Sequence, residues 1–154
     1  MNAPQTLPAE EPTLFTRIIR GELPGRFVWR DEHAVAFLTI APLRPGHTLV
    51  VPNEEVDRWT DLEPALMVHL NEVARTIATA QQAAFDCVRV GYIIAGLEVP
   101  HCHIHLVPIR SEADLSFANA DPSPTAGALD DAASRLRAAI RDLPAPTVRP
   151  DRTE

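Results

Sequence analysis

Apolar residues recur along this chain at two periods. In "TLFTRIIRGELPG", Leu14, Phe15, Ile18 and Ile19 follow helical spacing, and Gly21 and Pro24 supply the stop. "RFVWRD" and "AVAFLTI" are short runs rich in Val, Phe, Trp and Ile, separated by the polar "DEH", which predicts two hairpin-linked strands. "APLRPG" breaks the chain, and "HTLVVP" predicts a third strand that ends at Pro52. The longest helical pattern runs from about Thr60 to Phe85, with Leu66, Leu70, Val73 and Ile77 forming a stripe that must face a core. Thr60 and Glu63 have capping-box spacing there, and Pro64 falls in the first turn. "CVRVGYIIAG" and "VPHCHIHLVP" predict a fourth and a fifth strand, with Gly96 to Pro100 as the bend between them.

Beyond Arg110 the pattern changes. "SFANADPSPTAGA" has loop composition, and "LDDAASRLRAAIRDL" is amphipathic, with Leu129, Leu136, Ile140 and Leu143 on one side. The expected organisation is a mobile arm over residues 1–12, a main domain over 13–111, a loop and helix over 112–143 and a disordered tail over 144–154. The fold class is α+β: a five-stranded antiparallel sheet, one long helix on a face, and short helices added at the N- and C-terminal sides.

One stretch within this pattern carries chemistry. "HCHIH" places three of the six histidines at a spacing of two. On a strand that spacing puts His101, His103 and His105 on one face, about 7 Å between neighbours, with Cys102, Ile104 and Leu106 on the other. Three buried neutral imidazoles would need partners for all their ring nitrogens, so a core role fits poorly. Two chemical readings compete. As metal ligands the outer pair is wide, about 13 Å apart along a strand, although histidine is a common zinc ligand. As a nucleophilic site the arrangement fits well: an imidazole with one nitrogen held as N–H attacks through the other, and flanking imidazoles stabilise an anion. The middle residue, His103, is the natural nucleophile.

Composition narrows the partners. The net charge of −7, with no Lys/Arg cluster, excludes a nucleic-acid polymer or an anionic membrane as the natural target. No apolar run is long enough to span a bilayer, and "MNAPQTLPAEEP" lacks the basic and apolar regions of a signal peptide. With only Cys87 and Cys102, outside any CxxC pair, the expectation is a cytoplasmic protein without a disulfide framework.

"GLEVPHCHIHLVP" resembles the signature of the histidine triad (HIT) superfamily, and "LFTRIIRGELPGRFVWRDEHAVAFLTIAPLRPGHTLVVP" is similar to that family's N-terminal half. The resemblance implies a HIT-like fold whose sheet continues across a homodimer. It also implies a nucleotide-binding hydrolase that cleaves at an α-phosphate through a nucleotidyl-histidine intermediate. The substrate would be a nucleoside phosphoramidate, a dinucleoside polyphosphate or another adenylylated compound, with a purine nucleotide as the bound unit. Carried over by position, His103 matches the nucleophile, and His101 and His105 match the flanking members that orient it and contact the phosphate. His47 in "PGHTL" matches a fourth histidine, and Phe15, Ile18, Ile40 and Leu49 match the apolar positions around the base. His105 also separates this chain from the uridylyltransferase branch, which carries glutamine there.

Departures from the family pattern are informative. Thr39 stands where an acidic residue usually grips the ribose, and Leu97 and Glu98 stand where Gln and Ser or Thr usually approach the phosphate. The N-terminal cysteines that bind structural zinc in some relatives are missing from "LFTRII", so neither a structural metal nor a cofactor is expected. The rivals to a metal-free hydrolase are a metal-dependent hydrolase using the three histidines as ligands and a nucleotide-binding regulatory protein with little turnover. His33 and His69 read as surface residues. The "ADLSFANADPSP" loop is expected to border the site and to tune substrate choice.

Overall fold

The structure is a computed structural model that describes residues 11–154. Residues 1–10, most of the expected N-terminal arm, lie outside the described residues. The element order is α1 (Leu14–Ile19), β1 (Phe27–Arg30), β2 (Ala34–Leu38), β3 (Thr48–Pro52), α2 (Pro64–Ala84), β4 (Arg89–Ile93), β5 (Ile104–Ile109) and α3 (Ala126–Arg141). The strands form one sheet in the order β1-β2-β3-β5-β4, with every neighbouring pair antiparallel.

Alternation along the strands decides which face each side chain meets. Val28, Ala36, Val50, Ile104 and Leu106 point to one face and pack with Leu70, Val73, Ile77 and Ala80 of α2 and with Leu136 and Ile140 of α3. Each fully buried Leu or Ile in this layer contributes about 1.5–3 kcal/mol relative to exposure. Phe27, Val35, Phe37, Leu49 and Val51 point to the opposite face, where α1 adds Phe15 and the half-buried Ile18. The rings of Phe15 and Phe27 meet Phe37 edge-on at 5.5 and 5.8 Å. The sheet is therefore covered by α2 and α3 on one side and in part by α1 on the other, and His105 stands on that second face opposite Leu49.

Local chemistry moved several boundaries. The long helix starts at Pro64, not Thr60, because the residue before a proline is held extended: Glu63 has ψ 135° and serves as the N-cap. The expected Thr60–Glu63 capping box does not form; Trp59–Asp61 is a short 3₁₀ turn instead. α3 starts at Ala126, three residues before the amphipathic run opens at Leu129, where the Thr125 hydroxyl accepts from the Ala128 N–H at 3.1 Å. β5 starts only at Ile104, because the Cys102 N–H is committed to the Val56 carbonyl at 2.7 Å, outside the ladder.

Two surface expectations also changed. His69 is half-buried and donates to the Asp31 carboxylate at 2.8 Å, tying α2 to the β1–β2 turn. The segment 144–154, expected to be disordered, returns to β1: the Arg30 N–H donates to the Arg152 carbonyl at 2.7 Å, and the Arg137 guanidinium reaches the Thr153 carbonyl at 3.1 Å. An edge strand offers unpaired backbone groups, and this segment satisfies some of them.

Candidate active site

His105 lies on β5, opposite Leu49 of β3 and Ile93 of β4, so its imidazole stands on the partly covered face. His103 lies just before the strand. Its Nδ1 is 2.7 Å from the backbone carbonyl of His101. A carbonyl only accepts, so Nδ1 carries the proton and Nε2 keeps its lone pair. The Phe15 ring meets the His103 ring edge-on at 4.9 Å, and the His105 ring also lies 4.9 Å from it. Burial pushes the His103 pKa below its usual value, while the His101 carbonyl and the Glu98 carboxylate pull it up. Burial outweighs them, so the neutral ring is favoured.

A second chain of bonds sets the tautomer of His105. The Leu43 N–H donates to His47 Nδ1 at 3.1 Å, so the proton of that ring sits on Nε2. His47 Nε2 is 2.9 Å from His105 Nδ1 and donates to it. His105 must then carry its own proton on Nε2. Burial, reinforced by the neighbouring imidazoles, pushes His47 down to about 3 and His105 down to about 4. Both rings stay neutral, and the relay keeps its direction. One imidazole thus offers a lone pair and the next offers an N–H.

His101 differs from the other two. It is fully buried, with Nε2 2.8 Å from the Pro52 carbonyl and Nδ1 2.8 Å from the Thr13 hydroxyl. The sequence reading placed all three rings in one row and gave His101 a phosphate contact; the structure turns both of its ring nitrogens to protein partners. Strand alternation does not apply to it, because His101 sits on a bend, with its N–H on the Val99 carbonyl at 2.8 Å. The structure brings His103, His105, His47, Phe15 and Leu49 together, with Ile18 beside Phe15. Ile40 is 76% exposed and is not part of the packed slot. The Thr39 hydroxyl accepts from the Ala41 N–H at 3.2 Å, an ST-type turn bond that stiffens the loop leading to His47.

Residues 20–112 match the HIT domain family, which covers the sheet, the long helix and all four of these histidines. The chain belongs to the HIT family. It is 38% identical over 105 residues to a HIT-like protein of Methanocaldococcus jannaschii, covering 66% of this chain and 81% of that protein. It is 31% identical over 113 residues to the adenosine 5′-monophosphoramidase HNT1 of Saccharomyces cerevisiae, covering 73% and 70%. Among solved structures, a Hit-like protein from Bartonella henselae superposes with a TM-score of 0.75 at 25% identity, covering 86% of this chain and 99% of that one.

Several residues of this HIT site were not legible as such. Phe117, in the 3₁₀ turn Phe117–Asn119, lies with its ring 5.2 Å from the His105 ring and is 49% exposed. The loop that holds it, "ADLSFANADPSP", was expected to border the site, but Phe117 itself carried no signal of its own. The same loop forms one wall of a cleft of about 340 Å³, through Asn119, Asp121 and Ser123, opposite Thr39, Leu43 and His47. A larger cavity, about 590 Å³, lies elsewhere, between Trp59 and the 94–97 loop, and is lined by Cys102 but by none of the triad rings. Arg58 and Thr60 line it, but no imidazole does, so it offers no histidine nucleophile.

The donor set bears on the metal reading. Among the described residues, no group of three or more His, Cys, Asp or Glu side chains is arranged to hold a metal ion. Within the HIT triad, His101 has both nitrogens engaged and His105 presents an N–H, leaving His103 Nε2 as the free lone pair. Zinc needs several such lone pairs.

Proposed function

We propose that this protein is a nucleotide hydrolase that cleaves at the α-phosphate of a nucleoside phosphoramidate, or of a related adenylylated compound or dinucleoside polyphosphate. One observation carries the reading: His103 holds its proton on Nδ1 against the His101 carbonyl and has a free Nε2, 4.9 Å ring to ring from His105. His103 Nε2 attacks the phosphorus, and the bond to the leaving group breaks with its electron pair going to that group, which takes a proton from solvent. Water then breaks the phosphorus–nitrogen bond and releases the nucleoside monophosphate. The His105 Nε2–H hydrogen-bonds a phosphoryl oxygen as charge builds on it. Phe15, Ile18 and Leu49 supply an apolar surface for a purine base. The named activity of the yeast relative supports the phosphoramidate as substrate.

The active unit in this reading is a cytoplasmic homodimer. β4 is an edge of the sheet, and it exposes Tyr92 beside the exposed Val88 and Leu97. Pairing of two β4 strands would continue the sheet and satisfy that edge.

The test is turnover of adenosine 5′-phosphoramidate and diadenosine tetraphosphate by the parent and by His103→Ala. Release of AMP by the parent only, with an AMP adduct on a histidine of protein denatured in alkali, is the expected result. Equal rates for the two proteins would overturn the nucleophile assignment. Glu98 favours a second reading, a nucleotide-binding protein with slow turnover, because a carboxylate close enough to His103 to feel its charge repels a phosphate. Tight AMP binding without AMP release from either substrate is the outcome that reading requires.

A further inference from the structure

We propose that Thr13, Thr16 and Glu55 are positioning residues of the triad: they form a hydrogen-bonded clip that holds His101 in one tautomer and fastens α1 to the nucleophile. This rests on the hydrolase reading only for its kinetic consequence. The Pro52 carbonyl can only accept, so His101 Nε2 donates to it, and in the neutral ring Nδ1 is left as an acceptor. The Thr13 hydroxyl lies 2.8 Å from Nδ1 and donates to it. The same oxygen accepts the Thr16 N–H at 3.2 Å, capping α1. The Thr16 hydroxyl, 3.4 Å from Nδ1, donates instead to Glu55 Oε1 at 2.8 Å, and the Thr13 N–H donates to that same carboxylate oxygen at 2.6 Å.

The bonds therefore run in a fixed direction. Glu55 collects the Thr13 N–H and the Thr16 hydroxyl proton, and the Thr13 hydroxyl proton goes to His101 Nδ1 at 2.8 Å, the nearer acceptor, and not to the Thr16 hydroxyl oxygen at 3.2 Å. The His101 ring is anchored at both nitrogens, and its backbone carbonyl takes the proton of His103 Nδ1. α1 also carries Phe15, whose ring touches both His101 and His103, at 5.9 and 4.9 Å between centroids. A helix of six residues is too short to hold its place alone, so the clip joins the base-side wall to the nucleophile. Neither Thr13, Thr16 nor Glu55 takes part in the chemistry itself.

The experiment uses the full chain with Thr13→Val/Thr16→Val, Thr13→Gly, Thr13→Ser and Glu55→Gln, and reads two quantities. The first is the ¹⁵N spectrum of the histidine rings. In the parent, His101 Nδ1 should resonate as a hydrogen-bonded acceptor and Nε2 as a protonated nitrogen. The double variant should lose the first signature, and Thr13→Ser should keep it. The second is steady-state hydrolysis of adenosine 5′-phosphoramidate. The double variant and Thr13→Gly should lower kcat by about tenfold or more with KM changed by less than about threefold, since misplacing a reacting group costs rate before binding. Thr13→Ser should return kcat to near the parent value. Thr13→Gly keeps most of a helix cap but no hydroxyl, so parent-like kcat and an unchanged His101 spectrum in that variant would overturn the proposal. If the double variant does not fold, Thr13→Gly and Glu55→Gln decide the matter by the same two readouts. A parent with no turnover would overturn the hydrolase reading and leave this one to the His101 spectrum.

Discussion

His47 Nε2 donates to His105 Nδ1 across 2.9 Å, and the two residues are 58 positions apart in the chain. That bond, set in turn by the Leu43 N–H on His47, decides which nitrogen of His105 faces outward with a proton. His47→Leu removes the donor and lets His105 adopt either tautomer. The expected cost is about 10²-fold in kcat, the scale of losing one hydrogen bond to a developing anion, with a smaller change in KM. Steady-state kinetics on adenosine 5′-phosphoramidate measures it. A kcat within twofold of the parent would remove His47 from the relay.

Acid should destabilise this fold through the same pair. An imidazole in the unfolded chain titrates near 6.5, whereas His47 is pushed down to about 3 and His105 to about 4 by burial first and neighbouring imidazoles second. As pH falls below 6.5 the unfolded chain binds protons that the folded chain refuses, so stability is lost progressively toward pH 4 and below. Thermal midpoints measured from pH 7 to 4 should fall, and His47→Gln should flatten the slope. An identical slope in the variant would show that these rings do not carry the effect.

Phe117 gives the C-terminal segment a direct hold on the site. Its half-exposed ring lies 5.2 Å from the His105 ring, within reach of a group held at the triad. Phe117→Ala should change kcat/KM by up to about tenfold for substrates with a planar aromatic leaving group, the scale of one aromatic contact. The simple phosphoramidate should be much less affected. Equal changes for both substrate types would rule out a contact with the leaving group.

Gly46, immediately before His47, has φ +88°, and a Cβ there would stand 2.6 Å from the Phe85 ring. Gly46→Ala combines left-handed strain with overpacking and should cost about 3 kcal/mol of folding stability. Chemical denaturation checks this figure. The carbonyl of Gly46 also accepts from the buried Gln81 amide at 2.9 Å, so the substitution should disturb the loop that delivers His47 to His105.

Much of the architecture was legible from hydrophobic spacing. A run such as "AVAFL" or "TLVVP" reads as strand wherever it lies, because alternation and β-branched side chains act locally. The α2 stripe is equally local, and the α+β class follows from the succession of elements. The candidate nucleophile was legible too, because a triple repeat of histidine at a spacing of two stands out against ordinary composition, and the surrounding motif resembles a known family.

The sequence alone therefore determined the elements, the two faces of the sheet and the residues able to do chemistry, since each depends on neighbours within a few positions. Tertiary structure decided what each imidazole does. Thr13 is 88 positions from His101, and Phe117 meets His105 only because the chain folds back after β5. Which nitrogen holds a proton depends on the carbonyl, amide or hydroxyl that folding brings within 3 Å of it. No spacing in the chain encodes that meeting, which is why three histidines alike in the sequence take three different roles in the fold.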